Sequence, residues 1–336
     1  IMSTYTSQFT EDWQGGTRDI SDDMFKLTMY IVSKTLFDTD MNQMQRGADD
    51  IGNTMEVVQR EINRRFHQLV VLPDWIPTLG NVRLLKARKK LHKTISSMIE
   101  AKLNTKSTDS ETSDDMMSML LDARYEDGSK MDTRLVMDEL VTLFVAGHET
   151  TSNALTWTFY LLAKHPEIQS KLHQELDSVL GKNDAQFSHI ADLPYTEMVI
   201  KESMRLLPPV WVLNTRQANE DIDVNGFHFP KDKVVFLSPY ANHRNPRYFE
   251  DPTRFDPERF SAEREKSIPK HAYIPFGSGP RVCIGQSFAM MEAKIILATI
   301  MRKFTLSLDD NLEYSPQALI TLSNKNGMQV KLTPRE

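Results

Sequence analysis

The chain has one cysteine, Cys283, and it lies in the segment Phe276-Gly277-Ser278-Gly279-Pro280-Arg281-Val282-Cys283-Ile284-Gly285. A single cysteine cannot form an internal disulfide, so the fold must be held by its core. The glycines of the segment allow tight turns and a close approach of the backbone to a flat ligand. Arg281 stands two residues before the sulfur and favours its thiolate form. The segment predicts a metal-binding thiolate; the alternative is a small buried hydrophobic side chain.

Composition restricts the class of protein. The 336 residues are 40% hydrophobic and 26% charged, which is ordinary for a globular chain, and the net charge of −6 does not favour nucleic acid as a partner. The apolar stretches are too short for a membrane span, and no signal peptide is visible. Because the chain opens inside an amphipathic pattern, we expect a fragment that could have lost an N-terminal anchor.

The first part of the chain has the periodicity of helices. Predicted helices run from Asp19 to Phe37, from Ala48 to Leu69 and from Asn81 to Leu103, with a polar connector over Lys102 to Ser113. A longer helix is capped by Asp132 and ends near His165, because Pro166 disfavours its continuation. At 1.5 Å per residue this helix is about 50 Å long, enough to cross a domain.

The pattern changes after Pro208. Asn225-Gly226 predicts a hairpin, and the valine-rich run from Lys233 to Leu237 predicts a strand. A helix is expected over Gln286 to Phe304, followed by short strands with a turn at Asn326-Gly327. The sequence therefore predicts one mainly α domain with a small β part (α+β) over residues 1–336. Its helical bulk would occupy 1–207, and the β strands and the cysteine loop would occupy 208–336.

The long helix contains Ala146-Gly147-His148-Glu149-Thr150-Thr151. A glycine inside a helix costs about 1 kcal/mol relative to alanine, so Gly147 needs a reason, and small residues would let a flat ligand or dioxygen lie against the helix. Thr150 shares a face with Ala146. The simpler alternative is a kinked helix with a threonine bonded to a backbone carbonyl. A zinc motif does not fit, because Ser152 stands where the second histidine would be.

Two further segments are Lys201-Glu202-Ser203-Met204-Arg205 and Pro257-Glu258-Arg259-Phe260. Together with the helix segment and the cysteine loop, in this order, they resemble the cytochrome P-450 family. The loop pattern of that family is F-x-x-G-x-R-x-C-x-G. The positions that match it are Phe276, Gly279, Arg281, Cys283 and Gly285.

The resemblance implies the mainly α P-450 fold without its N-terminal helices and first β strands. The family's Trp-x-x-x-Arg motif is not found, since Trp13 is followed by Thr17 and only then by Arg18. The implied cofactor is haem b, with Cys283 as the iron ligand. Thr150 and Glu149 would manage protons, and Arg281 and Arg216 would bind the propionates. The other residues expected around the haem are Phe276, Gly277, Ile284, Gly285, Ala146 and Gly147.

The resemblance also implies a buried network and a substrate pocket. Glu202, Arg205 and Arg259 would form the network, whose loss should damage folding and haem retention. The expected pocket is apolar, which implies an apolar substrate, although each member could equally be core. Its predicted residues are Leu143, Phe144, Val210, Val212, Leu213 and Leu322.

The activity implied is that of a bacterial-type, cytoplasmic monooxygenase. It would hydroxylate a lipophilic small molecule, such as a fatty acid, with dioxygen. The chain has no flavin or nicotinamide motif, so electrons would come from a separate ferredoxin, flavodoxin or reductase. The residues Arg264, Lys266, Lys270 and His271 form a cationic cluster before the cysteine loop, which is a candidate docking site or a solvated loop. Alternatives are a peroxide-using or isomerising haem-thiolate enzyme and a haem-free, non-catalytic fragment. A cysteine hydrolase is a further alternative, but no histidine is marked as its partner.

Overall fold

The fold is taken from a computed structural model. It describes residues 1–39, 54, 57–58, 60–65, 68, 72–106, 115–213, 215–309 and 312–335.

Helices form most of the described chain. They are α1 (Met2–Phe9), α2 (Ile20–Phe37), α3 (Leu79–Lys106), α4 (Met116–Asp122), α5 (Thr133–Lys164), α6 (Pro166–Leu180), α7 (Pro194–Leu206), α8 (Pro239–Asn242) and α9 (Gln286–Lys303). Most of the predicted helix from Ala48 to Leu69 lies outside the described residues. Within that range, the described residues 60–65 are helical. The predicted polar connector over Lys102 to Ser113 is wrong for residues 102–106, which are helical because α3 continues to Lys106. Residues 107–113 lie outside the described residues.

Short strands make up the β part. They are β1 (Gly16–Asp19), β2 (Arg216–Gln217), β3 (Ile222–Val224), β4 (Phe227–Phe229), β5 (Val234–Val235), β6 (Phe304–Ser307), β7 (Pro316–Ala318), β8 (Leu322–Asn324) and β9 (Gln329–Pro334). The mainly α fold with a small β part is confirmed.

Capping residues fix where the two central helices begin. The Asp19 side chain accepts a hydrogen bond from the Ser21 amide at 3.1 Å, at the start of α2. The Asp132 side chain accepts one from the Arg134 amide at 2.6 Å, at the start of α5. Both carboxylates satisfy amide groups that have no partner inside the helix. The predicted starts are confirmed to within one residue.

Helix α5 runs through the core, and α2 packs along it. The hydroxyl of Thr28 in α2 donates to the His148 carbonyl of α5 at 3.0 Å. His148 is buried between these helices, with ring centroids of Phe25 and Phe144 each 5.0 Å from its own. This packing fixes which face of α5 remains for a ligand.

The strands form small antiparallel sheets. β3 and β4 pair around Asn225 and Gly226, whose φ angles of 49° and 83° suit a tight hairpin turn, as the sequence predicts. The order β1-β9-β6 joins the two ends of the chain, with Gly16 opposite Leu332. The predicted helical part therefore contains a strand, β1, which local sequence could not indicate because its partner is about 300 residues away. Among the described residues, no helix is long and apolar enough to cross a membrane.

Candidate functional site

A cavity of about 320 Å³ lies between α5, α9, the segment after α7 and the cysteine loop. Its polar wall residues are Thr150, Thr151 and Cys283, and the rest are apolar or glycine. The predicted site residues that line it are Leu143, Ala146, Gly147, Thr150, Val210, Leu213, Phe276, Cys283, Ile284 and Gly285. One wall thus brings a sulfur to a largely apolar space, which suits an apolar ligand with a soft metal.

The backbone of the cysteine loop is shaped by glycines. Gly277 and Gly279 have φ angles of 76° and 73°, in the left-handed region that other residues rarely adopt. The Cys283 amide donates to the Phe276 carbonyl at 2.9 Å, which closes the loop and leaves the sulfur side exposed. Helix α9 then begins at Gln286, so its positive end lies close to the sulfur's residue.

The α5 wall explains Gly147 differently from the sequence prediction. A Cβ atom on Gly147 would come within 2.8 Å of the Val32 side chain of α2. The glycine lines the cavity, but its missing side chain is needed for the close packing of α2 on α5. Thr150 also lines the cavity, and its hydroxyl donates to the Ala146 carbonyl at 2.8 Å. The hydrogen bond from threonine to a backbone carbonyl, which the simpler alternative predicted, is therefore present. It forms at a residue that also lines the cavity and could contact a ligand there.

Glu149 is placed apart from Thr150. It is buried, does not line the cavity, and its carboxylate accepts a short hydrogen bond from the Thr321 hydroxyl. Asn153 donates to the same hydroxyl at 3.0 Å. The two residues predicted to manage protons are therefore neighbours in sequence with different surroundings, one on the wall and one tied to the turn between β7 and β8.

Three predicted pocket residues do not line the cavity. Phe144 is buried and its ring packs against Phe37 and His148, because α5 turns this face to α2. Leu322 is buried in β8, where its amide donates to the Pro209 carbonyl at 2.8 Å. Val212 lies between the two cavity residues Val210 and Leu213 without reaching the wall itself. Residues 209–212 form bends and not a regular strand, so their side chains do not follow one face.

The two predicted propionate-binding arginines are exposed and do not line the cavity. Arg216 begins β2, where its side chain donates to the Thr215 carbonyl at 3.3 Å. Arg281 ends a 3₁₀ turn within the cysteine loop (Gly279–Arg281). Their predicted roles therefore stay predictions.

Glu202, Arg205 and Arg259 form one buried cluster, as the sequence predicts. Arg205 donates to both Glu202 carboxylate oxygens, at 2.7 and 2.9 Å, and Arg259 donates to one of them at 3.3 Å. Arg205 also donates to the carbonyls of His243, Pro252 and Arg254 at 2.7 to 3.0 Å. One side chain of α7 thus holds three backbone carbonyls in two segments that precede the cysteine loop, one at His243 and one over 252–254.

Sequence reasoning missed two buried groups near this site. His243 is fully buried and its ring accepts a hydrogen bond from the Ile274 amide at 2.8 Å. Glu292 of α9 is fully buried behind the cavity, where burial raises the pKa of its carboxyl well above the usual value, opposed by the Thr151 hydroxyl. In the sequence, both residues look like ordinary polar positions. The only sequence signal for the burial of either residue is the apolar run around Glu292.

Comparison with known proteins identifies the family. The cytochrome P450 family profile matches residues 4–331, nearly the whole chain. The chain belongs to the cytochrome P450 family. A crystal structure of a cytochrome P450, CYP102L1, superposes with a TM-score of 0.86 at 26% identity, over 100% of this chain and 77% of that one.

Curated relatives are oxygenases by name. Pentalenene oxygenase of Streptomyces avermitilis is 31% identical over 96% of this chain and 70% of its own length. Cyclooctat-9-en-7-ol 5-monooxygenase of Streptomyces melanosporofaciens is 34% identical over 91% of this chain and 67% of its own. Cytokinin hydroxylase of Arabidopsis thaliana is 32% identical over 94% and 61%. The chain thus spans about two thirds of these P450 monooxygenases.

The residues of the site fit the haem that the family implies. A thiol on the wall of an apolar cavity is the donor type of a haem-thiolate site. Beside it, Val282 and Ile284 expose 43% and 89% of their surface, an apolar area that suits the flat face of a macrocycle. Cys283 would hold the iron, and the α5 wall from Ala146 to Thr150 would face it.

Proposed function

We propose that this chain is a haem-thiolate monooxygenase that hydroxylates a lipophilic small molecule. The single observation that carries the proposal is that Cys283 and Thr150 line the same apolar cavity, in a chain of the cytochrome P450 family. When bound, haem would supply oxygen activation at iron, with a thiolate ligand that favours O–O cleavage.

A few residues of the chain would bind the cofactor, exclude water and transfer protons. Cys283 holds the cofactor, and the apolar wall residues exclude water and take up an apolar substrate. Of the two threonines on the wall, Thr150 is the one that we propose passes a proton. Glu149 is a carboxylate one position earlier, held by Thr321, that can exchange a proton with Thr150 only after a change of side-chain rotamer or through water. The residues proposed for the propionates are Arg281 and Arg216, as cations that pair with carboxylates.

The substrate class follows from the wall. Leu143, Val210, Leu213 and Phe288 offer only apolar contacts, so shape and hydrophobic area should decide binding. We propose a fatty acid or a compound of similar hydrophobicity. The relatives named for pentalenene and for cyclooctat-9-en-7-ol favour compounds of that kind as the second candidate.

The test of the cofactor is a spectrum. Purified protein loaded with haem, reduced and treated with carbon monoxide should show the red-shifted Soret band of a thiolate ligand. Cys283→Ser should lose that band. A band that persists in Cys283→His would refute the assignment of the ligand.

The test of the reaction compares electron sources. Turnover of a fatty-acid series, of pentalenene and of cyclooctat-9-en-7-ol is measured with a reductase and ferredoxin, and separately with peroxide. Product formed only with peroxide would favour the peroxide-using alternative, and rearranged product without net oxygen uptake would favour the isomerising one.

A separate redox partner is part of the proposal, and the cationic cluster is its candidate contact. His271 contacts the Ser278 hydroxyl of the cysteine loop at 2.9 Å, so the cluster adjoins the loop. Arg264 is paired with Asp256 at 3.0 Å, while Lys266 and Lys270 are exposed. The two lysines are therefore the charges we propose for an acidic ferredoxin or flavodoxin.

A further inference from the structure

The six residues from His271 to Phe276, here called the strap, lead into the cysteine loop and are hydrogen-bonded to other parts of the fold. Asn242 donates to the Ala272 carbonyl at 2.8 Å, and the Tyr273 hydroxyl donates to the Lys201 carbonyl at 2.9 Å. The Ile274 amide donates to Nε2 of His243 at 2.8 Å. These contacts fix the strap against α7 and α8.

His243 stands between the buried ion cluster and the cysteine loop. Its carbonyl accepts a hydrogen bond from Arg205 at 2.8 Å, and its ring accepts one from Ile274. The Ile274 carbonyl in turn accepts a hydrogen bond from the Gly277 amide at 3.1 Å, at the first left-handed glycine of the loop. One continuous set of hydrogen bonds therefore runs from Arg205 through His243 to the backbone that shapes the loop of Cys283.

The bond to Ile274 requires a neutral imidazole. An amide can only donate, so Nε2 must carry its lone pair, and the proton of the neutral ring must be on Nδ1. Arg205 and Arg244 are the cations near this ring, Glu202 reaches it only through Arg205, and the Tyr273 ring lies 5.1 Å away, centroid to centroid. No carboxylate among the described residues contacts the ring.

We propose that His243 is a positioning residue that orients the cysteine loop through its acceptor bond to the Ile274 amide. The role depends on the proposed function, in which Cys283 binds haem iron. Loss of the acceptor, by substitution or by protonation, should release the strap and with it the geometry of the loop.

The surroundings of His243 restrict the protonation of its ring to acid pH. Burial, and then the charge of Arg205, lower the pKa of His243 from 6.5 to about 4, and the carbonyls of Met204 and Arg205 act in the opposite direction. The ring is therefore neutral at pH 7. As pH falls towards 4, the proton that enters at Nε2 converts the acceptor into a donor, which faces the Ile274 donor.

The test compares His243→Gln with His243→Leu in the haem-loaded protein. Glutamine places an amide oxygen at about the reach of Nε2 and cannot be protonated in this range, whereas leucine has no acceptor. Hydrogen exchange of the Ile274 amide reports the bond directly. We expect wild-type protection in the glutamine variant and exchange about tenfold faster in the leucine variant, in line with the loss of one hydrogen bond. His228→Gln, at an exposed histidine, is the control.

A pH titration of the carbon-monoxide spectrum supplies the second readout. The wild type should lose its thiolate band as pH falls towards 4, and His243→Gln should lose it at least one pH unit lower. If His243→Leu does not fold, the comparison of the acid midpoints of the wild type and the glutamine variant still tests the proposal. Equal acid midpoints, or equal Ile274 exchange in the leucine variant and the wild type, would overturn the proposal.

The proposed function and the positioning role of His243 can be refuted independently of each other. A wild type without any thiolate band would refute the haem ligation by Cys283, while Ile274 exchange would still show whether His243 holds the strap.

Discussion

At the residue scale, Thr150 is the hydroxyl on which the proposed proton transfer depends. Thr150→Ala should keep the haem bound, because the residue contributes little to the packing of α5. It should raise the fraction of reducing equivalents lost as peroxide, because the proton donor on the wall is gone. Thr150→Ser is the matched control and should keep most of the coupling. The ratio of product to peroxide measures the effect; equal ratios in all three proteins would exclude a role for the hydroxyl.

His148 allows a second residue-scale prediction, on pH. Burial lowers the pKa of His148 from 6.5 to about 4, opposed by the Phe144 carbonyl. Between these values the unfolded chain binds the proton and the folded chain does not. The free energy of unfolding should therefore fall as pH drops from 6.5 towards 4, by up to about 3 kcal/mol from this residue.

The variant for that test is His148→Leu. The difference in unfolding free energy between pH 7 and pH 5 should shrink by about 2 kcal/mol, since the titrating group is removed. Chemical denaturation at the two pH values measures it. The exposed His228→Gln should leave the difference as in the wild type. An unchanged difference in His148→Leu would mean that His148 is not buried in its neutral form.

At the scale of elements, the α2–α5 contact depends on Gly147. Gly147→Ala gains about 1 kcal/mol of helix propensity but places a methyl group 2.8 Å from Val32, so we expect a net loss of about 1–2 kcal/mol. In a Val32→Ala background the same change should be neutral or stabilising. A double-mutant cycle by thermal or denaturant unfolding measures the coupling. Additive effects would show that the cavity, and not α2, requires the glycine.

The Glu202 cluster joins α7 to the segment before the cysteine loop. Glu202→Gln leaves two buried guanidinium groups without their carboxylate, so we expect a loss of about 3–5 kcal/mol and poor retention of haem. Asp22→Asn is the control, because Asp22 forms an exposed pair with Lys26 at 2.9 Å that is worth a few tenths of a kcal/mol. Soluble yield, unfolding free energy and haem content are measured. Similar values for both variants would argue against a structural cluster.

At the scale of the whole molecule, a local cationic surface on a chain of net charge −6 can guide an acidic electron donor. Reversal of Lys266 and Lys270 to glutamate should slow the first electron transfer, and the difference should fade with salt as the Debye length shrinks from about 10 Å at 0.1 M to about 3 Å at 1 M. Reversal of Lys231 and Lys233, between β4 and β5, makes the same change in net charge and is the control. Equal reduction rates would remove the cluster from the docking site.

Features that depend on near neighbours in the chain could be predicted from the amino-acid pattern. The caps Asp19 and Asp132 define helix starts because each bonds an amide two residues on. Asn225-Gly226 defines its hairpin because only those two residues must adopt positive φ angles. The cysteine loop carries its own glycines and its own closing bond, so its chemistry and the family were evident from ten residues.

Features that depend on partners far along the chain are fixed by the assembled fold and have no local signal. Gly147 is explained by Val32, Glu149 is held by Thr321, and Ile274 is held by His243. Phe144 faces α2 instead of the cavity because the direction of a buried side chain is fixed by the element packed against it. The periodicity of a helix shows that a face is apolar; which of two apolar neighbours that face meets is a property of the assembled core.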